Sequence, residues 1–237
     1  ETIYMKRILL MVVRNIFIVP FLWIKLCYYA SHVDKYTQEE HQKMLKYIVK
    51  RANIGGNVEI KAYGQENIPK EDGFIMYPNH QGKYDFFGII STHVKPCSVV
   101  MDKKKSYAIF VKEAMDLVNG KRLEIDNVRQ ALTIINEVSE EVAAGRRYVL
   151  FPEGGYEFNN KNKVCEFKAG CFKISLKTKT PIIPVALIDS YRVFKDSYDN
   201  AIENYNDIKR KYEQGTVAEY DLIRADVTVQ NREPNVL

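Results

Sequence analysis

The sequence predicts an α/β fold, a core sheet flanked by helices, preceded by an N-terminal helical element suited to a membrane surface. Three observations predict it. An apolar run interrupted by charge lies between Ile8 and Ala30. From Asn57 onward, short apolar runs alternate with longer segments of helical periodicity, the pattern of a layered α/β sandwich. Two glycine-containing polar motifs follow directly on two of the predicted strands, where open α/β sheets hold their ligands. The division this implies is residues 1–54 for the helical membrane-anchoring element and 55–237 for the main domain.

The N-terminal run has no uninterrupted apolar block longer than Ile16–Ile24, because Arg14, Asn15 and Lys25 break it. A spanning helix needs about 20 apolar residues. A signal peptide is disfavoured by Arg14 and by the lack of a small-residue cleavage site. A buried core helix is a third reading. The pattern fits best a helix lying in one leaflet, with Arg14 and Lys25 snorkelling and Trp23, Tyr28 and Tyr29 at the interface. Met5-Lys6-Arg7 reads as a natural start.

A second helix is predicted over Thr37–Arg51. Thr37 and Glu40 have capping-box spacing, Met44, Leu45, Ile48 and Val49 form its stripe, and Gly55-Gly56 ends it. Val58–Tyr63, Phe74–Tyr77, Cys97–Met101, Tyr148–Phe151, Ile182–Ile188 and Ala225–Gln230 read as strands. Tyr84–His93, Asn127–Ala144 and Ala169–Lys177 read as helices, the second of them closed by Gly145. Asp199–Gln214 reads as an exposed helical insertion. The sequence has no internal repeats, and it stops soon after Val227-Thr228-Val229, so it reads as truncated.

Composition narrows the function. The 237 residues are 46% hydrophobic and 27% charged, which excludes wholesale disorder. A formal charge of +5 without an Arg-rich helix gives no support to nucleic-acid binding, but suits an anionic bilayer face or a polyanionic cofactor. Cys27, Cys97, Cys165 and Cys171 form no CxxC pair and no Cys/His ligand set, so they read as reduced thiols of a cytoplasm-facing protein without a metal site.

The first motif is Pro78-Asn79-His80-Gln81-Gly82-Lys83-Tyr84-Asp85. Five steps along one helix turn a side chain ~140° away, so His80 and Asp85 meet only if His80 sits in the loop before the helix. Gly82 would ease that bend. Asp85 would then fix the imidazole tautomer, leaving the other nitrogen to take a proton from an alcohol. A loop histidine satisfied by a nearby acid is the plainer reading of the same spacing. The second motif is Phe151-Pro152-Glu153-Gly154-Gly155. Its glycines let backbone N–H groups face a phosphate or oxyanion, and Glu153 is available to a substrate hydroxyl. A simple Gly-Gly turn is the alternative.

Together the motifs resemble the 1-acylglycerol-3-phosphate acyltransferase family. Asn79-His80 with Asp85 looks like its NHxxxxD block, and Phe151-Pro152-Glu153-Gly154 like the start of its FPEGTR block. Phe167-Lys168-Ala169-Gly170 and Pro181-Ile182-Ile183-Pro184-Val185 are similar to the FKxG and PIxPV segments, and Gly64-Gln65-Glu66-Asn67-Ile68-Pro69 to the family's G-x-E-N-[IL]-P. The resemblance runs in the right order from about residue 5 to 190. It implies a glycerolipid-acyltransferase-like core at a membrane surface and transfer of a fatty acyl group from acyl-CoA or acyl carrier protein to a lysophospholipid hydroxyl, most simply 1-acylglycerol-3-phosphate. His80 and Asp85 would be catalytic, while Asn79, Glu153, Gly154, Gly155 and Lys168 would bind the acceptor. No bound cofactor is implied.

The sequence departs from the family where phosphate is gripped. Gly155 and Tyr156 stand in place of Thr-Arg, and Asn127 in place of the Arg of an I-D-R stretch after Ile125-Asp126. Lys121, Arg122 or Lys168 would have to replace them, or the acceptor is another lysolipid or polar amphiphile. Lys103, Lys104 and Lys105 are candidates for the donor's phosphates or the carrier-protein surface, although a lysine run is also an ordinary solvated face. His32, His41 and His93 read as structural or surface groups. A membrane-bound pseudoenzyme and a thioester hydrolase are the competing functional readings.

Overall fold

The apolar runs Phe74–Tyr77 and Tyr148–Leu150 are buried along their whole length, which is what a central strand of a parallel sheet covered on both faces requires. The structure, a computed structural model, describes residues 3–93, 95–124, 127–156, 162–193 and 197–230. Its sheet is built from β1 (Ile75–Pro78), β2 (Ser98–Asp102), β3 (Lys121–Leu123), β4 (Tyr148–Val149) and β5 (Ile182–Val185). The order is β3-β2-β4-β1-β5, and every pairing is parallel. β4 thus lies beside β1, so the two motifs that follow these strands emerge side by side.

Side-chain alternation sorts the core into two layers. Phe74, Met76 and Val149 face one layer, with α3 (Gln38–Gly56), α4 (Asp85–Thr92) and α5 (Val111–Leu117). Ile75, Tyr77, Tyr148 and Leu150 face the other, against Ile134, Val138 and Val142 of α6 (Val128–Ala143) and Ile174 of α7 (Lys173–Thr178). The predicted helix Ala169–Lys177 is a 3-10 turn over Ala169–Phe172 running into α7. β4 and β5 pair over shorter lengths than their apolar runs suggest.

The N-terminal run forms two helices, α1 (Ile3–Val13) and α2 (Val19–Ser31), with Pro20 near the start of the second. Among the described residues no helix is long and apolar enough to cross a membrane. Met11 and Leu26 join the same buried cluster as β1 and α3. Gly55 and Gly56 do not end α3 but form its last turn, where an added Cβ would meet Met11; the helix stops at Asn57, in the left-handed region at φ 51°. Arg14 does not snorkel. Its guanidinium donates to the Gly55 carbonyl at 3.0 Å and to Asn57 Oδ1 at 2.8 Å, because the break between α1 and α2 brings it to the negative end of α3. Asn15 is likewise buried, hydrogen-bonded to Met11 and Arg51.

Two predicted strands are not strands. Val58–Tyr63 has the alternation, and Val58 and Ile60 pack on the core, but no described strand pairs with it. Ala225–Gln230 belongs to α9 (Glu219–Gln230), which packs with α8 (Ser197–Glu213) and buries Ala225, so helix pairing overrides the β-branched composition. β3 and α5 carried too little periodicity to be read in advance.

Candidate active site

β1 ends at Pro78, and the next residues turn over the carboxyl edge of the sheet before α4 begins at Asp85. As the first residue of α4, Asp85 points back along the chain. Its Oδ2 accepts from His80 Nδ1 at 2.7 Å and from the backbone N–H groups of Gln81 and Gly82 at 2.6 and 2.9 Å. Its Oδ1 accepts from the Ser190 hydroxyl at 2.6 Å. The carboxylate is fully buried, so these donors replace water. Gly82 is outside the left-handed region, and the turn uses its N–H rather than its conformational freedom.

An ionised carboxylate accepts only, so it fixes the hydrogen of His80 on Nδ1 and leaves Nε2 with a lone pair. Nε2 has no partner among the described residues, and the imidazole retains 19% exposure. Phe151 stacks on the ring at 4.2 Å, and Tyr156 meets it edge-on at 4.7 Å. The motif after β4 therefore forms the wall of the histidine pocket. The role of Phe151 had no separate signal in the sequence.

Glu153 is buried, and both its oxygens are engaged. Oε1 accepts from the His80 backbone N–H at 2.6 Å and Oε2 from the Cys165 N–H at 2.8 Å. It braces the histidine loop against the neighbouring strand end, one donor on each oxygen, whereas the sequence alone suggested a contact with a substrate hydroxyl. Asn79 does similar work, exchanging two hydrogen bonds with the Leu187 backbone after β5. Gly154 is left-handed at φ 70°, and a Cβ there would lie 2.8 Å from Lys168 Nζ. Gly155 faces open space.

The expected cations separate into two groups. Lys121 bridges Glu137 and Glu141 of α6 at 3.1 and 2.7 Å, and Arg122 pairs with Asp116 of α5 at 2.6 Å. They project to opposite faces of β3, which β2 and β4 separate from β1, so the structure does not bring them to the dyad. Lys103 pairs with Glu124. Lys104 is exposed. Lys105 is the member of its run that reaches the site, with Nζ 5.5 Å from the centroid of the Tyr156 ring. Lys105 and Lys168 thus flank the Gly154-Gly155-Tyr156 turn, and no carboxylate among the described residues pairs with either. Ile125-Asp126 lies outside the described residues.

Other titratable groups stand apart. Burial pushes the Cys97 thiol up to about 12 and raises that of Cys171, so neither supplies a thiolate nucleophile at neutral pH. His41 and His93 are buried with neither ring nitrogen hydrogen-bonded among the described residues, and His32 bonds to Tyr28 and Ser31. No group of three or more possible metal ligands occurs among the described residues.

An imidazole with one nitrogen fixed by a buried carboxylate and the other open, at the carboxyl edge of a parallel sheet, is equipped to take a proton from a hydroxyl. Residues 59–188, more than half of the chain, match the family model described as Acyltransferase, and the chain belongs to that family. It is 28% identical over 153 residues to the 1-acyl-sn-glycerol-3-phosphate acyltransferase of Saccharomyces cerevisiae, covering 64% of this chain and 50% of that protein. It is also 28% identical over 155 residues to the Borreliella burgdorferi protein of the same name, covering 63% and 61%. The chain therefore spans between half and two thirds of the length of these relatives. Its fold is similar to that of the 1-acyl-sn-glycerophosphate (LPA) acyltransferase of Thermotoga maritima, with a TM-score of 0.57 at 22% identity, covering 79% of this chain and 77% of that one.

Proposed function

We propose that this protein transfers a fatty acyl group from a thioester, acyl-CoA or acyl carrier protein, to the free hydroxyl of a lysophospholipid at a membrane surface, with 1-acylglycerol-3-phosphate as the acceptor. The observation that carries the reading is the His80–Asp85 contact, with Nε2 left open on a ring held against Phe151 and Tyr156. Nε2 removes the acceptor's proton as its oxygen attacks the thioester carbonyl. The tetrahedral intermediate then collapses, the C–S bond breaks, and the imidazolium returns the proton to the leaving thiolate. No acyl-enzyme is required, consistent with thiols that burial keeps protonated.

Lys105 and Lys168 are the groups positioned to replace the family's arginines on the acceptor phosphate. An ammonium is a point charge without the bidentate fork of guanidinium, so the grip is electrostatic rather than geometrically selective. The anchor is the apolar surface of α1, α2 and the turn between them, where Phe17 and Phe21 are 87% and 73% exposed. A site beside one leaflet spares both acceptor and product a transfer of their chains into water. Four free cysteines fit the cytoplasmic face.

The test is acyl transfer by the purified protein with labelled acyl-CoA or acyl carrier protein and a panel of lysolipids. Product from 1-acylglycerol-3-phosphate, lost in His80→Ala, is the expected result. Lys105→Ala and Lys168→Ala should each raise the acceptor KM about tenfold, the loss of one charge-assisted phosphate contact. His80-dependent product from another lysolipid alone would move the acceptor. No His80-dependent product from any acceptor, in folded protein that binds vesicles, would sink the enzyme reading in favour of a lipid-binding pseudoenzyme.

A further inference from the structure

Asp85 supports His80 through Oδ2, and the question left by that geometry is what holds the carboxylate itself. Three donors from residues 80–82 converge on Oδ2, whereas Oδ1 has one donor among the described residues, the hydroxyl of Ser190 at 2.6 Å. We propose that Ser190 is a positioning residue for the base: its hydroxyl fixes the rotation of the Asp85 carboxylate and tempers its charge, and so sets the basicity of His80. The proposal rests on the acyl-transfer reading for its kinetic consequences, but not for its effect on the imidazole.

The presentation of Ser190 is built rather than incidental. It opens a 3-10 turn, Ser190–Arg192, directly after Asp189, which is held in the left-handed region at φ 61°. Asn162 accepts from the Asp189 N–H and donates to its carboxylate, both at 2.9 Å. The Ser190 N–H donates to Gln81 Oε1 at 2.9 Å, while Gln81 Nε2 donates to Asn162 and to the Leu187 carbonyl. The serine oxygen also lies 2.9 Å from Gln81 Oε1, but it carries one hydrogen. The charged carboxylate at the shorter distance takes it. The turn is therefore anchored through its backbone, and the hydroxyl is left for Asp85. Residue 190 lies beyond the segment matched by the family model, which ends at 188.

Removing the hydroxyl has a defined direction. A hydrogen bond to the carboxylate disperses its charge; without it, the full negative charge bears on the imidazolium and raises the His80 pKa. A buried oxygen without a donor also lets the carboxylate turn away, which slows proton transfer without touching acceptor binding. Ser190→Ala and Ser190→Val delete the hydroxyl while keeping the backbone N–H to Gln81, and Ser190→Thr keeps both.

The experiment pairs kinetics with an NMR titration of the His80 ring in histidine-labelled protein, its signal assigned by its absence in His80→Ala. In Ser190→Ala and Ser190→Val, kcat should fall about tenfold with acceptor KM within about twofold. The acid limb of the kcat profile and the ring titration should both move to higher pH, and Ser190→Thr should restore them. A ring titration and pH profile unchanged in folded Ala and Val variants would overturn the proposal. So would loss of folding in both variants with Thr intact, which marks a structural anchor. If no acceptor is acylated by the wild type but the ring titration moves as expected, the acyl-transfer reading fails and the role of Ser190 stands.

Discussion

Asp85 shows how much a single acid can organise. It accepts from four donors in three consecutive residues and one remote turn, and it is sealed from water. Asp85→Asn would place an NH2 group among donors and favour the wrong histidine tautomer. Its kcat should fall roughly a hundredfold or more with little change in acceptor KM, measured in the same transfer assay. His93 is the opposite case, a buried imidazole with no hydrogen-bonding partner among the described residues. Burial, reinforced by Arg147, Lys46 and Lys95, pushes its pKa down to about 4 from 6.5. Between those values the unfolded chain binds the proton and the folded one does not, so stability falls as pH drops through that window. From pH 7 to 5 the loss from this group is about 2 kcal/mol. His93→Phe, which keeps the edge-on contact with Phe74, should show a correspondingly smaller drop in urea unfolding free energy. The His80–Asp85 pair was legible because its bond is local. The engagement of Glu153 was not, because its partner is the His80 backbone, 73 residues away, and no periodicity encodes such a bond.

At the scale of elements, local chemistry was read where it was self-contained. Thr37 and Glu40 form the full capping box, with the Glu40 N–H reaching Thr37 Oγ1 at 3.3 Å and the Thr37 N–H reaching Glu40 Oε2 at 2.8 Å. Thr37→Ala should lower stability by about 1 kcal/mol, seen as a lower urea midpoint at unchanged slope. The central strands were legible because burial on both faces makes them continuous apolar runs. β3 was not: its Lys121 and Arg122 look like surface charge until α6 and α5 supply carboxylates on either side. Val58–Tyr63 failed for the converse reason, since alternation specifies a strand face but not a neighbour to pair with. The two helices α1 and α2 were read as one because hydrophobicity alone does not locate a break. Arg14 and Asn15, the residues that marked the run as too polar to span, are the ones that tie the break to α3.

The whole molecule combines a three-layer core with an N-terminal helical surface that buries Met11 and Leu26 and turns Phe17 and Phe21 outward. Phe17 and Phe21 contribute little to the core, so Phe17→Ser with Phe21→Ser should leave the unfolding free energy nearly unchanged. Flotation with vesicles should weaken roughly tenfold or more, given ~1.5–3 kcal/mol for each large apolar side chain removed from water. The strand order carries a further consequence, one of timing during synthesis. His80 and Asp85 leave the ribosome together, but their supports come later: Glu153 follows β4, and Leu187, which clasps Asn79, follows β5. Ribosomes add about 5–20 residues per second, so the nascent chain carries the pair for seconds before the strands that brace it exist. The pair is made early and braced last, so a half-made chain holds the imidazole without the scaffold that positions it.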